Sequence, residues 1–440
     1  MSRHRPLVLL LVMPPSVLLL ASLLCGCAER LVLSTTDATD PNAPEMSRWT
    51  VAVYMSADNE LDEQALVDLN EMEAAARANA EVTVVVLIDR AVAADSSSSS
   101  QWGGTRVYEL RRDPRGGAPE IVSERLSSER LGIDAEQESE LNTGSARTLG
   151  AFLDFTAEHY PAEHTALIVW GLGSGYKAVS VDDGSGGDPL HTAELGRALA
   201  GRDIDAVGLD VLFGAQLEIA YELHACARTL VASQQSIGLD GWDYRSLLEQ
   251  LAARSAEPHA FEQAAMEAYQ AAYAAAPGAC ISVVDLPGIP AVRRALDELC
   301  EVLNTEIADH AVREELRRLL FEDVEGFFRR PGDLNLDLDD LAARVAAAYP
   351  ATTEEAESLR RVLEETVRDS WVAEGANGRA AGLSVHYIPV DSAGYAHPPH
   401  EDDYFAGRVV GEPLRFVGDS SWPPRENGGG FLYRLWYEAM

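Results

Sequence analysis

Short apolar runs alternate with amphipathic segments along most of the chain. The apolar runs predict buried strands at residues 50–56, 82–89, 166–170, 204–211, 229–233 and 280–285. Helical periodicity predicts helices at residues 61–76, 148–160, 193–201, 212–225, 243–275 and 289–306. Strands that alternate with helices indicate an α/β fold, with a largely parallel central sheet and helices on both faces.

The pattern is weaker in the last third of the chain. Residues 310–372 are heavily charged and predict helices, residues 382–388 predict a late strand, and the tail from Pro389 is predicted to pack as loops. We therefore expect an α/β core at residues 49–260. Residues 261–440 are expected to form a C-terminal helical region whose late strands pack on that core.

The N-terminus has the pattern of an export signal. Arg3, His4 and Arg5 precede an apolar run at residues 7–24. The sequence Leu-Cys-Gly-Cys that ends at Cys27 resembles a bacterial lipobox, which predicts a lipoprotein signal peptide at residues 1–26 and lipid on Cys27. Residues 27–48 are polar and predict a flexible tether. The expected location is extracytoplasmic and membrane-anchored, in the outer membrane if the organism is Gram-negative; a plain signal peptide or a membrane anchor is the alternative.

Charge limits the partners that the protein can have. The formal net charge of the 440-residue chain is -36. Nucleic-acid binding depends on Lys and Arg that neutralise phosphates, so we expect no nucleic-acid partner. Anionic membrane surfaces would repel the chain, and membrane contact is expected only through the lipid. Cys226, Cys280 and Cys300 have no metal-site spacing and are expected to be buried thiols, with one disulfide and one spare thiol as the alternative.

One strand and its turn organise the centre of the chain. Residues 166–170 are apolar, and Gly171, Gly173 and Gly175 follow them. Glycines let the backbone turn sharply and approach a ligand closely. Binding sites in open α/β sheets lie at the carboxyl ends of strands. The strand at 204–211 has Asp210 near its own carboxyl end, which favours one site shared by the two strand ends.

These two stretches resemble motifs of the clostripain family of cysteine peptidases. The family's catalytic His lies in Trp-Asp-His-Gly-Ser-Gly, and its catalytic Cys lies in Phe-Asp-Ala-Cys. The first motif here is Trp-Gly-Leu-Gly-Ser-Gly at 170–175, and the second is Leu-Asp-Val-Leu at 209–212. The resemblance implies the caspase-like α/β/α sandwich, with Leu172 and Leu212 at the two catalytic positions.

A leucine dyad predicts that peptidase chemistry is absent. Leucine is neither a nucleophile nor a base, and Leu172 and Leu212 could instead pack against each other. Ser174 does not lie in the serine-hydrolase elbow Gly-x-Ser-x-Gly. Cys280 and His164 each begin a strand, which is the wrong end for this site if both strands run parallel to their neighbours. We therefore favour a pseudopeptidase over an enzyme.

The remaining motif residues indicate peptide binding. The turn with Gly173 and Ser174 suits a peptide backbone. In the family, the loop that resembles the one around Asp240 carries the acid that receives an Arg or Lys side chain; a surface turn is the alternative. Asp210 survives from the Cys motif, with a capping role in the turn as its alternative. The expected partner is a peptide or protein ligand, with a basic one favoured.

Two other functions stay open, and no cofactor is expected. The chain could be an active Arg- or Lys-directed cysteine-type endopeptidase with another nucleophile, or a structural envelope lipoprotein. Asp182, Asp183 and Asp188 lie in a glycine-rich loop and could ligate Ca²⁺, with a solvated turn as the alternative. The acid-rich residues 333–340 lack the glycine of a Ca²⁺-binding EF-hand loop and predict an element boundary.

Overall fold

The computed structural model describes residues 46–76, 81–91, 102–113, 115, 120–306, 309–330, 333–375 and 378–387. The predicted signal peptide, Cys27, most of the predicted tether and the tail from Pro389 lie outside these residues. Among the helices in the described ranges, none has the length and apolar character that crossing a membrane requires.

A nine-stranded sheet forms the middle of the molecule. Its strands are β1 (Ser47–Ala57), β2 (Val82–Arg90), β3 (Gly104–Glu109), β4 (Glu124–Arg125), β5 (Ala162–Gly171), β8 (Ile204–Asp210), β9 (Ala227–Ala232), β10 (Cys280–Asp285) and β13 (Val367–Val372). Their spatial order is β13-β10-β9-β8-β5-β1-β2-β3-β4. The strands β9, β8, β5, β1 and β2 are parallel, and the strands outside them join antiparallel to their neighbours. The predicted parallel-rich sheet is confirmed.

Helices cover both faces of this sheet. One face carries α1 (Asp62–Ala75), α5 (Tyr244–Ala253) and α6 (Ala260–Tyr273). The other carries α2 (Ala146–His159), α3 (Thr192–Leu199), α4 (Leu217–Leu223), α7 (Ile289–Glu306), α8 (His310–Arg318), α9 (Leu338–Ala348) and α10 (Thr353–Thr366). Along β1, Val53 and Met55 face the first layer, whereas Ala52 and Tyr54 face the second. The strands are apolar on both sides because both sides are covered.

Within the described residues, five further strands lie outside the central sheet. A hairpin pairs β6 (Ser180–Asp182) with β7 (Asp188–Leu190). A small sheet contains β11 (Gly326–Arg330), β12 (Asp333–Asp337) and β14 (Ser384–Tyr387).

The charged region 310–372 differs from its prediction. It contains the strands β11, β12 and β13 as well as helices. In β12, the apolar Leu334 and Leu336 alternate with the polar Asn335 and Asp337, and all four residues are buried. The sequence did not show this strand because its polar positions resemble those of a solvated segment. Both β10 and β13 come from beyond residue 260 and complete the central sheet.

Candidate functional site

The site predicted from sequence lies where β5 and β8 end. These neighbouring strands are parallel, and Trp170 on β5 is the register partner of Asp210 on β8. Two residues past this pair, the chain reaches Leu172 on one side and Leu212 on the other. The sheet therefore brings the two leucine positions to equivalent places at one edge.

The loops that carry the two leucines are in contact. The backbone N–H of Gly175 donates to the carbonyl of Leu212 at 3.3 Å. A methyl group on Gly173 would lie 2.8 Å from Cβ of Val211, so only glycine fits this approach without a shift. Both leucines are half-buried. The alignment of the two motifs thus corresponds to a real spatial neighbourhood.

Backbone strain marks the loop after β8. Phe213, directly after Leu212, has a φ of +58°, in the left-handed region that bulky residues rarely adopt. Its N–H donates to the carbonyl of Gln235 at 3.2 Å, which ties this turn to the chain after β9. Such strain persists only where the surrounding structure fixes the conformation. The contacts around Phe213 therefore hold the turn that follows Leu212 in one strained conformation.

Other nucleophiles are poorly placed or poorly activated. His164 lies at the amino end of β5, as expected, beside Asp205 at 3.4 Å. Cys226 precedes β9 at the same far edge of the sheet. Ser174 is exposed and, within the described ranges, its hydroxyl has no hydrogen-bond partner to act as a base.

The predicted position of Cys280 is wrong, because its strand does not run parallel to its neighbours. Because β10 is antiparallel to β9, its first residue lies at the carboxyl edge, on the same side of the sheet as the two leucines. Its Sγ lies 3.6 Å from Oγ of Ser233. However, Cys280 is buried, and this burial raises the pKa of its thiol, which opposes formation of the thiolate.

Asp210 is a buried acid at the end of β8. Its Oδ2 accepts hydrogen bonds from the N–H of Trp242 at 3.1 Å and from the hydroxyl of Tyr244 at 2.8 Å. Burial raises the pKa of Asp210 to about 6, although both hydrogen bonds favour the carboxylate. These contacts connect the end of β8 to the segment at the start of α5, and they hold a carboxyl group at the edge of the site.

A second buried acid, Asp68 of α1, lies beside Asp210. Its Oδ2 accepts from Nε1 of Trp170 at 2.7 Å, and its Oδ1 accepts from Nε2 of Gln64 at 2.9 Å. Burial, followed by the nearby charge of Asp210, raises the pKa of Asp68 to about 8. Sequence reasoning missed this residue. The available signal was an acid among the apolar positions of a helix, next to the buried Leu69.

Asp240 occupies an exposed turn that borders the same acids. The turn closes with a hydrogen bond from the N–H of Gly241 to the carbonyl of Gly238 at 3.0 Å. The hydroxyl of Tyr273 on α6 donates to the carbonyl of Gly241 at 2.7 Å. Leu239, the neighbour of Asp240, is 77% exposed. The turn thus places Asp240 and an apolar side chain at the rim, next to the buried Asp210.

A group of four carboxylates could hold a hard cation such as Ca²⁺. Oxygens of Asp58, Asp89, Glu140 and Asp182 all lie within 4.8 Å of one another. Burial raises the pKa of Asp89 to about 8, and it also raises the pKa values of Asp58 and Glu140.

Of the three acids that the sequence indicated, only Asp182 belongs to this group. Asp183 is exposed. Asp188 accepts a hydrogen bond from Nδ2 of Asn142 at 2.6 Å. The predicted element boundary near residue 337 is also present, because Asp337 ends β12 and caps α9.

Known proteins share both the sequence pattern and the fold. A model of the clostripain family matches residues 53–355. Clostripain of Hathewaya histolytica is 23% identical over 241 residues, which is 48% of this chain and 44% of that protein. The match thus spans less than half the length of this relative.

Two solved structures resemble the described fold. An inactive zymogen C11 protease from Parabacteroides distasonis matches with a TM-score of 0.61 at 18% identity, covering 86% of this chain and 99% of that chain. A secreted C11 cysteine protease from Bacteroides thetaiotaomicron, in complex with an irreversible peptide inhibitor, matches with a TM-score of 0.59 at 16% identity and the same coverage. These matches confirm the caspase-like α/β/α sandwich. Since the family model covers well over half of the chain, including both leucine-bearing loops, this protein belongs to the clostripain family.

Proposed function

We propose that this protein binds a peptide or protein segment without cutting it. The observation that carries the proposal is the pair of leucines, Leu172 and Leu212, on contacting loops at the two positions that resemble the family's catalytic His and Cys. Neither side chain can attack a carbonyl or accept a proton. Loss of both groups removes most of the rate enhancement that such a site provides.

The acids at the same edge favour a basic ligand. Asp210 accepts its hydrogen bonds from the uncharged donors of Trp242 and Tyr244, and these donors do not neutralise the negative charge of its carboxylate. Asp240 adds a second carboxylate at the exposed rim. A guanidinium makes charge-assisted, bidentate hydrogen bonds with carboxylates, so an Arg side chain suits this position best.

An extracytoplasmic location completes the proposal. The basic start, the apolar run and the lipobox-like sequence ending at Cys27 support export and lipid anchoring. One of the similar structures is a secreted protease. A lipid tether would supply the membrane affinity that a chain with a net charge of -36 lacks.

Calorimetry with matched peptides tests the binding proposal. Acetylated, amidated tripeptides with central Arg or norleucine differ only in the charged group. Hydrogen bonds to charged groups contribute about 1.5–3 kcal/mol, so the Arg peptide should bind roughly tenfold or more tightly. Asp240→Ala should reduce this preference, whereas Asp203→Ala, which removes an exposed acid at the far edge, should leave it unchanged. Equal affinities of wild type for both peptides would instead favour a structural envelope protein.

A further inference from the structure

Two buried carboxyl groups border the same small space beside Gly241. We infer that Asp68 is a positioning residue for the cation site: it carries a proton that a cationic side chain bound at Asp210 displaces, so that ligand binding and ionisation of Asp68 occur together. This inference rests on the proposed function, and it assigns a role to a residue outside both family motifs.

The geometry around Gly241 carries the argument. A methyl group at this residue would lie 2.9 Å from Oδ2 of Asp210 and 3.4 Å from Oδ2 of Asp68. The two oxygens are therefore no farther apart than the sum of these distances. Asp68 is fully buried and Asp210 is 5% exposed. Two carboxylates this close in a buried setting repel each other, so the pair is most stable when one of the two carboxyl groups is protonated.

The two acids have different access to a ligand. Asp210 retains slight exposure and lies beside the turn that carries Asp240, whereas Asp68 is fully buried and both of its oxygens already accept hydrogen bonds, from Trp170 and Gln64. A bound cation would thus contact Asp210 and act on Asp68 through its charge. Its positive charge lowers the energetic cost of a second carboxylate, so the proton of Asp68 leaves to the solvent.

The order of ionisation fixes the pH range of this coupling. The pKa of Asp210 is raised to about 6 and that of Asp68 to about 8. Between these values Asp210 is charged and Asp68 holds its proton. An Arg side chain keeps its charge throughout, so its own titration contributes nothing. Affinity for an Arg peptide should rise as pH increases through about 6, and again through about 8.

Other titratable groups face the pair and need their own controls. Glu71 on α1, Tyr244 on α5, and Tyr269 and Tyr273 on α6 lie near the pair itself. Asp240, Asp243 and Arg245 lie one step farther out, near Glu71. Burial raises the pKa of Glu71, whose carboxylate also accepts from the N–H of Tyr244 at 3.2 Å. Glu71→Gln is therefore the matched control for Asp68→Asn.

Proton release on binding measures the coupling directly. The central-Arg tripeptide is titrated into the full mature chain at pH 7.5, in phosphate and in Tris, whose ionisation enthalpies differ. Wild type should release protons with the Arg peptide and not with the norleucine peptide. Asp68→Asn should abolish the release and flatten the rise in affinity between pH 7 and 9, which we expect to be about fivefold or more in wild type. Asn closely resembles the protonated acid in shape, so the Asp68→Asn variant should fold. Proton release by wild type is a test in its own right, because it does not depend on any variant.

The outcomes separate this inference from the proposed function. Proton release that persists unchanged in Asp68→Asn, or that disappears equally in Glu71→Gln, overturns the role of Asp68. A second outcome is that wild type prefers the Arg peptide, that Asp210→Asn loses this preference, and that wild type releases no proton on binding. The binding proposal then stands and the inference about Asp68 fails. If wild type shows no preference for Arg, both fail.

Discussion

At the scale of single residues, the motifs located the site but not all of its chemistry. Leu172, Leu212 and Asp210 were found because each sits in a short motif beside a strand end. Asp68 was missed because its importance comes from Trp170 and Asp210, which are distant in sequence and meet it only in the fold. The pKa values of buried ionisable groups depend on their tertiary environment, which a local sequence pattern does not reveal.

The raised pKa of Asp68 makes the stability of the protein depend on pH. An unfolded Asp has a pKa near 3.9, whereas in the folded chain the pKa of Asp68 is about 8. The folded state thus holds a proton that the unfolded state has lost, and the free energy of unfolding should fall as pH rises from 5 to 9. Asp68→Asn should make this fall shallower, by on the order of a few kcal/mol at most.

Urea unfolding at pH 5, 7 and 9 measures the effect. Asp89 and Asp210, whose pKa values are also raised, should leave a residual slope of the same sign in the variant. Asp203→Asn, at an exposed acid, is the control and should follow wild type. A slope in Asp68→Asn equal to that of wild type would contradict the assigned ionisation.

At the scale of elements, periodicity predicted the core strands well and the C-terminal strands poorly. The apolar runs behind β5, β8 and β10 are long enough to show burial on both faces. In contrast, Arg368 and Asp369 of β13 are exposed, as expected at the edge of a sheet. The sequence of this strand therefore resembles that of a solvent-exposed helix. The direction of β10 is set by its pairing partners, so sequence could not show that Cys280 lies at the carboxyl edge.

Asp337, at the end of β12, connects the start of α9 with the loops that contain Gln234 and Ala381, and it should be important for stability. Its Oδ1 accepts from the N–H of Asp340 at 2.9 Å, and its Oδ2 accepts from Nε2 of Gln234 at 3.0 Å and from the N–H of Ala381 at 2.7 Å. Asp337→Ala leaves these buried donors without an acceptor, at a cost of about 2–5 kcal/mol.

Chemical denaturation of matched variants tests this role. Asp339→Ala is the control, because Asp339 forms a surface pair with Arg360, and such pairs contribute about 1 kcal/mol or less. Equal losses of stability in Asp337→Ala and Asp339→Ala would show that the buried contacts do not stabilise the junction.

At the scale of the whole molecule, the chain has the fold of the clostripain family together with an N-terminal sequence that predicts export. The described residues form the caspase-like sandwich, and the predicted export signal precedes them. The acidic composition predicts that nucleic acid is not a partner, but it could not identify the ligand, because ligand specificity depends on a few side chains rather than on the fold or the composition.

Replacing Cys27 tests the lipid anchor. Cys27→Ala should leave the protein unprocessed or release it from the membrane fraction, because a lipid on Cys27 supplies the membrane affinity. Fractionation and metabolic labelling with a palmitate analogue provide the measurement, and Cys226→Ala is the control. Unchanged fractionation together with no labelling of wild type would refute the anchor.

The central claim is that this member of the clostripain family has kept the fold and lost the chemistry. Its most direct test is incubation of the purified mature chain with Arg- and Lys-containing peptides under reducing conditions, with and without Ca²⁺, followed by mass spectrometry of both peptides and protein. We predict intact peptides and one intact chain. Thiol-dependent cleavage that a single Cys→Ala change abolishes, with Cys280→Ala as the first variant to examine, would contradict the account.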